Sequence, residues 1–316
     1  MKRVLVVHYS QTGQLSDILR STVAPLEANP EIEVTWLAIE PATPYPFPWP
    51  AGFFFNTFPE TVYEDVDPIR PIPMPSNPDF DLVILGYQVW FLSPSKPTTA
   101  FLQSPEARTL LAGKPVITVI GCRNMWLSAQ ERMKEQLSAL GAHLIDNIVL
   151  TDSAHSAFTF ISTPAWMLTG KKGPFLGGLV PQAGVSQEDI AGCARFGEAV
   201  GRQLPTRSVG DTSPMLSDLG AVSIFEGLMS SERVARKSFL IWGRLLRACG
   251  KPGNPLRGFV LGVYVVFLFT LIVTVIPLMA ILKSLTKPLL RQRLARMRAY
   301  YAQPSGEGRA LVGRAA

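Results

Sequence analysis

Apolar and polar positions fall into two kinds of block over residues 1–205. Short apolar runs predict strands at Arg3–Tyr9, Glu33–Ile39, Phe80–Tyr87, Pro115–Cys122 and Ala142–Leu150. Between them, apolar residues three and four apart predict helices. Gln14–Glu27 carries Leu15, Ile18, Leu19 and Val23 at helical spacing, and Thr98–Leu111 is helical in part. Ala129–Leu140 is stopped by Gly141, and Ser186–Leu204 opens with Ser186 as N-cap and Glu188 and Asp189 in its first turn. The third strand, "FDLVILGY", has a continuous apolar core, the mark of burial on both faces. Strands alternating with helices predict an α/β fold, a five-stranded parallel sheet with helices on both faces. Ligands of such sheets bind beyond the carboxyl ends of the strands, where strand order switches. The loops after the first, third and fourth strands are therefore the place to look.

Two segments break the alternation. Residues 40–78 are dense in proline and aromatics, which predicts neither a regular helix nor a central strand. They read either as a surface excursion or as an apolar wall beside the ligand loops. Residues 151–185 form the second insertion and include "HSAFTFISTPAWMLTGKKGPF". Residues 206–257 begin with a linker, "PTRSVGDTSPMLS" lying at its start, and continue into a basic amphipathic helix over Ile224–Ala248. Gly258–Leu282 is then 25 residues without a charge. About 20 apolar residues span a bilayer as a helix. So 258–282 is expected to be a transmembrane or membrane-embedded segment, with Pro277 tolerated inside it, holding no core residue of the first domain. Residues 283–316 are a basic tail.

Charge sharpens this division. Residues 1–205 hold 14 Lys/Arg against 19 Asp/Glu, and residues 206–316 hold 16 against 5. The basic excess sits beside the apolar run, where anionic headgroups attract it, so it does not point to nucleic acid. Arg244, Arg247, Lys251 and Arg257 precede the run; Lys283, Lys287, Arg291, Arg293, Arg296 and Arg298 follow it. Positive charge favours the cytoplasmic side, and a single pass cannot keep both flanks there. A tail that crosses despite its charge, a segment that returns at Pro277 and partial embedding are three solutions the sequence leaves open. The first apolar run is too short for a signal peptide, which predicts a cytoplasmic domain. Cys122, Cys193 and Cys249 are far apart, which suits a reducing compartment and suggests neither a disulfide frame nor a metal site.

The loop Ser10-Gln11-Thr12-Gly13-Gln14 has the chemistry of a phosphate cradle: hydroxyls, a glycine and a helix N-terminus behind it. No lysine follows the glycine and GxGxxG is absent, so it is neither a nucleoside triphosphate loop nor a dinucleotide fingerprint. "HYSQTGQLSDIL" resembles the phosphate loop of the flavodoxin family, which binds flavin mononucleotide (FMN) through a T/S-x-T-G-x-T pattern. Leu15 stands where the last hydroxyl is expected. "GYQVWFLSPSKPTTAFL" is similar to the segment that runs along the isoalloxazine ring, which implies ring contacts from Tyr87, Gln88, Val89, Trp90 and Phe91. "GCRNMW" matches the loop that meets the pyrimidine edge, which implies contacts from Gly121, Cys122, Arg123 and Asn124. Arg123 is also the expected stabiliser of negative charge on the ring.

Three functions follow from that resemblance. One is an FMN-dependent oxidoreductase acting on a lipophilic small molecule. The second is a membrane-tethered electron carrier, and the third a flavin-free scaffold. A net charge of −5 over residues 1–205 is mild for a carrier's docking face, and the aromatic insertion suits an apolar substrate better. The layout resembles the membrane-associated flavodoxin-like proteins encoded with dialkylresorcinol biosynthesis. That implies an aromatase, which dehydrogenates a dialkylcyclohexanedione, at a bacterial inner membrane. No nucleophilic cysteine with histidine partners supports a condensing enzyme. His155, just past the fifth strand, is the expected base; His8 and His143 sit inside or before strands. The partners expected are membrane lipids, the lipophilic substrate and a second copy of the chain in a homodimer.

Overall fold

A computed structural model describes residues 1–154, 156–275, 278 and 291–303. In chain order the first elements are β1 (Lys2–His8), α1 (Gln14–Glu27), β2 (Ile32–Ala38), α2 (Ala51–Val62) and β3 (Leu82–Tyr87). A small hairpin, β4 (Val89–Trp90) and β5 (Ser93–Pro94), leads into α3 (Lys96–Leu102) and α4 (Pro105–Leu111). Next come β6 (Pro115–Cys122), α5 (Leu127–Ala139), β7 (His143–Thr151) and α6 (Ser156–Thr169). The chain continues with α7 (Gln187–Ala191), α8 (Ala194–Gln203), α9 (Glu226–Ala248) and α10 (Pro255–Thr270), which runs on into a π-helical turn, Leu271–Val275.

Five strands form one parallel sheet in the order β2-β1-β3-β6-β7, the flavodoxin-like arrangement of an α/β fold. Side chains alternate across each strand, so the runs of valine, leucine and isoleucine feed two cores. Leu5, Val7 and Tyr9 join Trp126, Met133 and Leu137 on one face. Val4 and Val6 join Leu15, Ile18 and Leu19 of α1 and Phe196 and Val200 of α8 on the other. The α1–α8 contact is very close: a Cβ on Gly197 would lie 1.9 Å from the Thr22 carbonyl oxygen.

Three expectations need correction. The proline-rich insertion does contain a helix, α2. Its prolines crowd the flanks, with Pro50 as N-cap, and Pro59 is the one inside the helix. The expected helix over 186–204 is divided into α7 and α8; Ser186 caps α7 as expected, its Oγ accepting from Asp189 N at 3.0 Å. The apolar run is not free of core residues. Leu261 and Tyr264 of α10 are buried with Phe58 and Val62 of α2 and Leu246 of α9.

Residues just past 205 also pack on the sheet. Asp146 of β7 accepts hydrogen bonds from Met215 N (2.6 Å) and Leu216 N (3.3 Å), and Val149 N donates to Ala221 O (2.8 Å). These bonds cover the outer edge of β7. Burial raises the Asp146 carboxyl to about 6, against the opposing effect of those two backbone donors. Between 3.8 and that value the folded state holds a proton that the unfolded chain has lost. Stability from this group is therefore present at low pH and falls as pH rises towards 6. Urea unfolding of the wild type against Asp146→Asn is expected to show the wild type gaining about 2 kcal/mol relative to the variant as pH drops from 6 to 4. A difference independent of pH would remove the proton from that carboxyl.

Candidate functional site at the carboxyl edge of the sheet

β1 lies between β2 and β3, so the chain leaves β1 and β3 in opposite directions and opens the edge above them. In the loop after β1, Gly13 is exposed and left-handed at φ 83°, a conformation glycine adopts without strain. It starts α1 with no side-chain cap. The first intrahelical bond is Asp17 N to Gly13 O at 3.0 Å, so the Gln14 and Leu15 amides precede the helix's own hydrogen bonding. Ser16 N donates to Ser10 Oγ at 3.4 Å. Ser10 and Thr12 are partly exposed beside this end, which suits an anion. Leu15 is buried in the core under α1, which gives its departure from the hydroxyl pattern a packing reason.

Both insertions close onto this loop. Gln11 donates through Nε2 to Pro46 O and accepts through Oε1 from Trp49 Nε1, each at 3.0 Å. Gln14 Nε2 donates to Val185 O at 3.5 Å. Trp49 N in turn donates to Met167 O of α6 at 2.8 Å.

The residues after β3 separate into distinct roles. Tyr87 is fully enclosed and donates to Gln130 Oε1 at 2.7 Å, so its ring belongs to the core and presents no face to a ligand. Gln130 continues the chain to Thr118 (3.1 Å), which donates to Asn147 (2.9 Å). Gln88 is half-buried, and its Oε1 is enclosed with no hydrogen-bond partner. Val89 and Trp90 form β4. Phe91 and Leu92 make the hairpin turn at φ 49° and 60°, left-handed values that are strained for such side chains. Trp90 meets Tyr45 at 5.0 Å, Trp49 at 5.2 Å and Tyr9 at 6.0 Å, all edge to face. Phe91 turns the other way, to Phe54 (4.9 Å), Phe58 (5.8 Å) and Phe239 (6.2 Å).

In the loop after β6, Gly121 makes room for α1: a Cβ there would lie 2.8 Å from Ile18 Cδ1. Cys122 is held well above the usual thiol range, first by burial and then by Glu232, so it is no thiolate at neutral pH. The Arg123 guanidinium lies 4.1 Å over the Phe160 ring of α6, and Nε donates to Asn124 Oδ1 at 3.3 Å. Burial lowers Arg123 to about 10, with Asp152 opposing, and it stays a cation at neutral pH. Asn124 is buried.

The sequence reading overlooked Asp152 and α6. Asp152 accepts from Gly184 N (2.8 Å) and Ala154 N (2.9 Å), while its own N donates to Cys122 O and Arg123 O at 3.0 Å. An acidic residue one position past the last strand was the available signal. In α6 the small hydroxyl residues face inward: Thr159 and Ser162 are fully buried, while Phe158, Ile161 and Leu168 are exposed. Ser162 Oγ and Thr163 Oγ1 are enclosed with no partner among the described residues. Trp166 of the same helix is buried as well, so a polar patch lies beside an apolar contact under α6. His155 falls outside the described residues. His8 packs edge to face on Trp36 at 5.6 Å and is held below the usual histidine value, first by burial and then by Arg20.

Cavities of about 200 and 150 Å³ lie elsewhere, between α5 and α9 and at the amino-terminal edge of the sheet. At the carboxyl edge the rings of Tyr9, Tyr45, Trp49 and Trp90 pack on one another.

No protein-family model matches the chain, and no curated protein matches it. Among solved structures it is similar to a flavoprotein from Lactobacillus acidophilus in complex with FMN, at 14% identity over 47% of this chain and 93% of that one, with a TM-score of 0.37. A putative flavoprotein from Bacteroides uniformis is 16% identical over 52% and 97%, with a TM-score of 0.38. A flavodoxin from the domain Archaea is 11% identical over 64% and 98%, with a TM-score of 0.33. The flavodoxin-like order of the sheet stands on the strand pairing itself.

Proposed function

We propose that this chain is an FMN-dependent oxidoreductase that works on a lipophilic small molecule at a membrane surface. The carrying observation is the exposed, uncapped N-terminus of α1 at left-handed Gly13, joined through Gln11 and Trp49 to an aromatic cluster at the sheet's switch point. The donor set fits the cofactor. The α1 amides with Ser10 and Thr12 would hold the phosphate. Gln88 Oε1 and the α6 hydroxyls of Ser162 and Thr163 are orphaned polar atoms that ribityl or pyrimidine donors and acceptors would satisfy. Trp90 and Tyr45 would border the ring, and Arg123 would supply a fixed positive charge. Bound there, FMN supplies two-electron redox chemistry.

The chain's own residues orient the reactants and keep water out. Tyr9, Tyr45, Trp49 and Trp90 exclude solvent from the edge, while Phe53 is exposed at the rim of the same cluster as an apolar approach for substrate. Pro255–Thr274 is long and apolar enough to cross a membrane and is mostly exposed, which supports delivery of substrate from lipid. A dialkylcyclohexanedione, aromatised to a dialkylresorcinol with His155 as base, is the substrate proposed from family resemblance. Turnover of such a ketone without a protein partner separates an enzyme from an electron carrier.

The cofactor test uses Gly13→Asp. A Cβ at Gly13 meets nothing within 4 Å, and aspartate tolerates left-handed backbone comparatively well, so the variant is expected to fold. Its carboxylate would stand where the phosphate binds. Chain purified in detergent should carry releasable FMN in the wild type and at least tenfold less in the variant. Equal flavin in both would disprove the loop assignment, and no flavin in either would leave the scaffold reading.

A further inference from the structure

The basic side chains of α9 divide into two sets. Arg236 turns inward, donating to Leu92 O at 3.2 Å and to Ser93 Oγ. Arg247 pairs with Asp65 at 2.8 Å and lies over the Tyr63 ring, and Arg233 hydrogen-bonds the Tyr301 hydroxyl. Lys237 and Arg244, by contrast, are exposed and make no hydrogen bond or ion pair among the described residues. Beside them Val234, Ile241 and Leu245 are exposed as well. Positions 234, 237, 241, 244 and 245 are three and four apart, so they form one stripe along the helix. The opposite face is fixed, with Met229, Glu232, Gly243 and Leu246 buried. Glu232 Oε1 accepts from Ser128 N of α5 at 2.5 Å, and Tyr63 Oη donates to Leu240 O at 2.9 Å. α9 is therefore held in one rotation about its axis, with the stripe outward.

A helix on a water-facing surface shows polar residues outward, and this one shows large apolar residues and cations together. From Gly227 to Lys251 the one acidic residue is Glu232, which is buried. The outward face thus has apolar area and positive charge with no anion of its own, which is complementary to anionic headgroups over acyl chains. Other covers fail on charge. A second copy of the chain would set these cations against like charge. Residues 276–290 and 304–316 carry Lys283, Lys287, Arg309 and Arg314 against Glu307 alone, so they hold no anionic complement either. The stripe is also joined to the apolar helix. Trp242 lies 5.3 Å from both Tyr264 and Phe267 of α10, which exposes Leu256, Phe259, Val263 and Val266. Tryptophan and tyrosine favour the level of the headgroups.

We infer that the outward stripe of α9, Val234, Lys237, Ile241, Arg244 and Leu245, lies along an anionic membrane surface, its apolar side chains among the headgroups and its two cations on lipid phosphates. This deepens the membrane reading proposed above and rests on it. Each cation near such a surface strengthens binding about fivefold, so the contact depends on lipid charge.

The test reconstitutes the full chain into vesicles of phosphatidylcholine, alone or mixed with phosphatidylglycerol. A nitrobenzoxadiazole label on Ile241→Cys, with Cys249→Ser removing a native thiol, reports the stripe. The same label on Glu198→Cys reports an exposed position of α8, on the other face of the sheet. Lipid carrying a nitroxide on its headgroup is expected to quench Ile241→Cys at least twofold more in the phosphatidylglycerol vesicles than in phosphatidylcholine, and to leave Glu198→Cys unquenched. Lys237→Glu with Arg244→Glu should abolish the difference; both side chains are exposed, so the double variant is expected to fold. Chain that floats with the vesicles while Ile241→Cys stays unquenched, its emission as in water, would overturn the inference and keep the membrane reading. Equal quenching in the two vesicles, a double variant that keeps the difference, or equal quenching of Glu198→Cys would overturn it likewise. A blue-shifted label that the nitroxide does not quench would place a second copy over the face and overturn it too. Chain that floats with neither vesicle would overturn both the inference and the membrane reading.

Discussion

Gly197→Ala is expected to destabilise the fold by about 3 kcal/mol or more, the upper range for overpacking a tight interface. The obstacle is backbone. The added Cβ would lie 1.9 Å from Thr22 O and 3.0 Å from Pro25 Cδ, both on α1. A flexible side chain can step aside from such a contact, whereas a helix carbonyl moves only with its helix. α1 is fixed through Leu15, Ile18 and Leu19 to the sheet, so no local rotamer change relieves the clash. α8 must move outward by more than an ångström, which separates Phe196 and Val200 from the core they share with α1. Urea unfolding in detergent measures the effect as a lower midpoint. Gly86→Ala provides the contrast: its Cβ would meet only the Leu19 side chain, at 2.5 Å from Cδ1, and a rotamer shift relieves part of that. Equal midpoints for the wild type and Gly197→Ala would mean that α1 and α8 do not approach this closely. The result also bears on the proposed site, because α1 is the helix whose N-terminus is proposed to meet the phosphate.

The sheet was legible because its three central strands, β1, β3 and β6, are buried on both sides. "VLVV", "LVIL" and "VITVI" need no partner to identify them as central parallel strands, and every strand expected from sequence is present within a few residues. The strand-to-helix turn at Gly13 was legible for a local reason, since its glycine acts within one turn of helix. What sequence could not supply was long-range satisfaction. Gln11 looks like a loop residue until Trp49 and Pro46 are placed on either side of its amide. Tyr87 looks like a ring-stacking residue until Gln130, 43 positions away, takes its hydroxyl. The helix in the aromatic insertion was hidden because proline count over the whole segment obscured where the prolines stand. α6 was hidden because its inward face mixes the hydroxyls of Thr159 and Ser162 with Trp166, while Phe158, Ile161 and Leu168 face outward.

Arg257→Ala is expected to detach α10 from α2 and α9 while leaving the sheet folded. Arg257 is almost completely buried at the start of α10. Its guanidinium forms a bidentate pair with Glu60 of α2, Nη1 to Oε1 at 2.7 Å and Nη2 to Oε2 at 2.8 Å. It also donates to Asn56 Oδ1, Asn56 O and Gly250 O, so both the carboxylate and the turn between α9 and α10 depend on it. Removing one partner of a buried ion pair leaves the other charge without compensation and costs about 3–5 kcal/mol. Glu60 retains some exposure, which places the expected loss near 3 kcal/mol. That loss falls on the contact of α10 with α2, where Phe58 and Tyr264 stack at 4.6 Å, and not on the five-stranded sheet. Limited proteolysis is therefore expected to cut the variant faster within Cys249–Pro255, with the unfolding midpoint of the sheet domain little changed. Arg257→Lys keeps the charge but loses the fork geometry, and its cleavage rate should fall between the two. If Arg257→Ala resists the protease as the wild type does, α10 is held by its apolar face alone and the ion pair contributes nothing to docking. The distinction matters for function. A docked α10 places the aromatic path Tyr264, Phe58, Phe91 and Phe54 in continuous contact from the apolar helix to Trp49 at the phosphate-type loop. Detaching it breaks that path at α10, so under the proposed function turnover of a lipophilic substrate should drop in Arg257→Ala even when flavin content is unchanged.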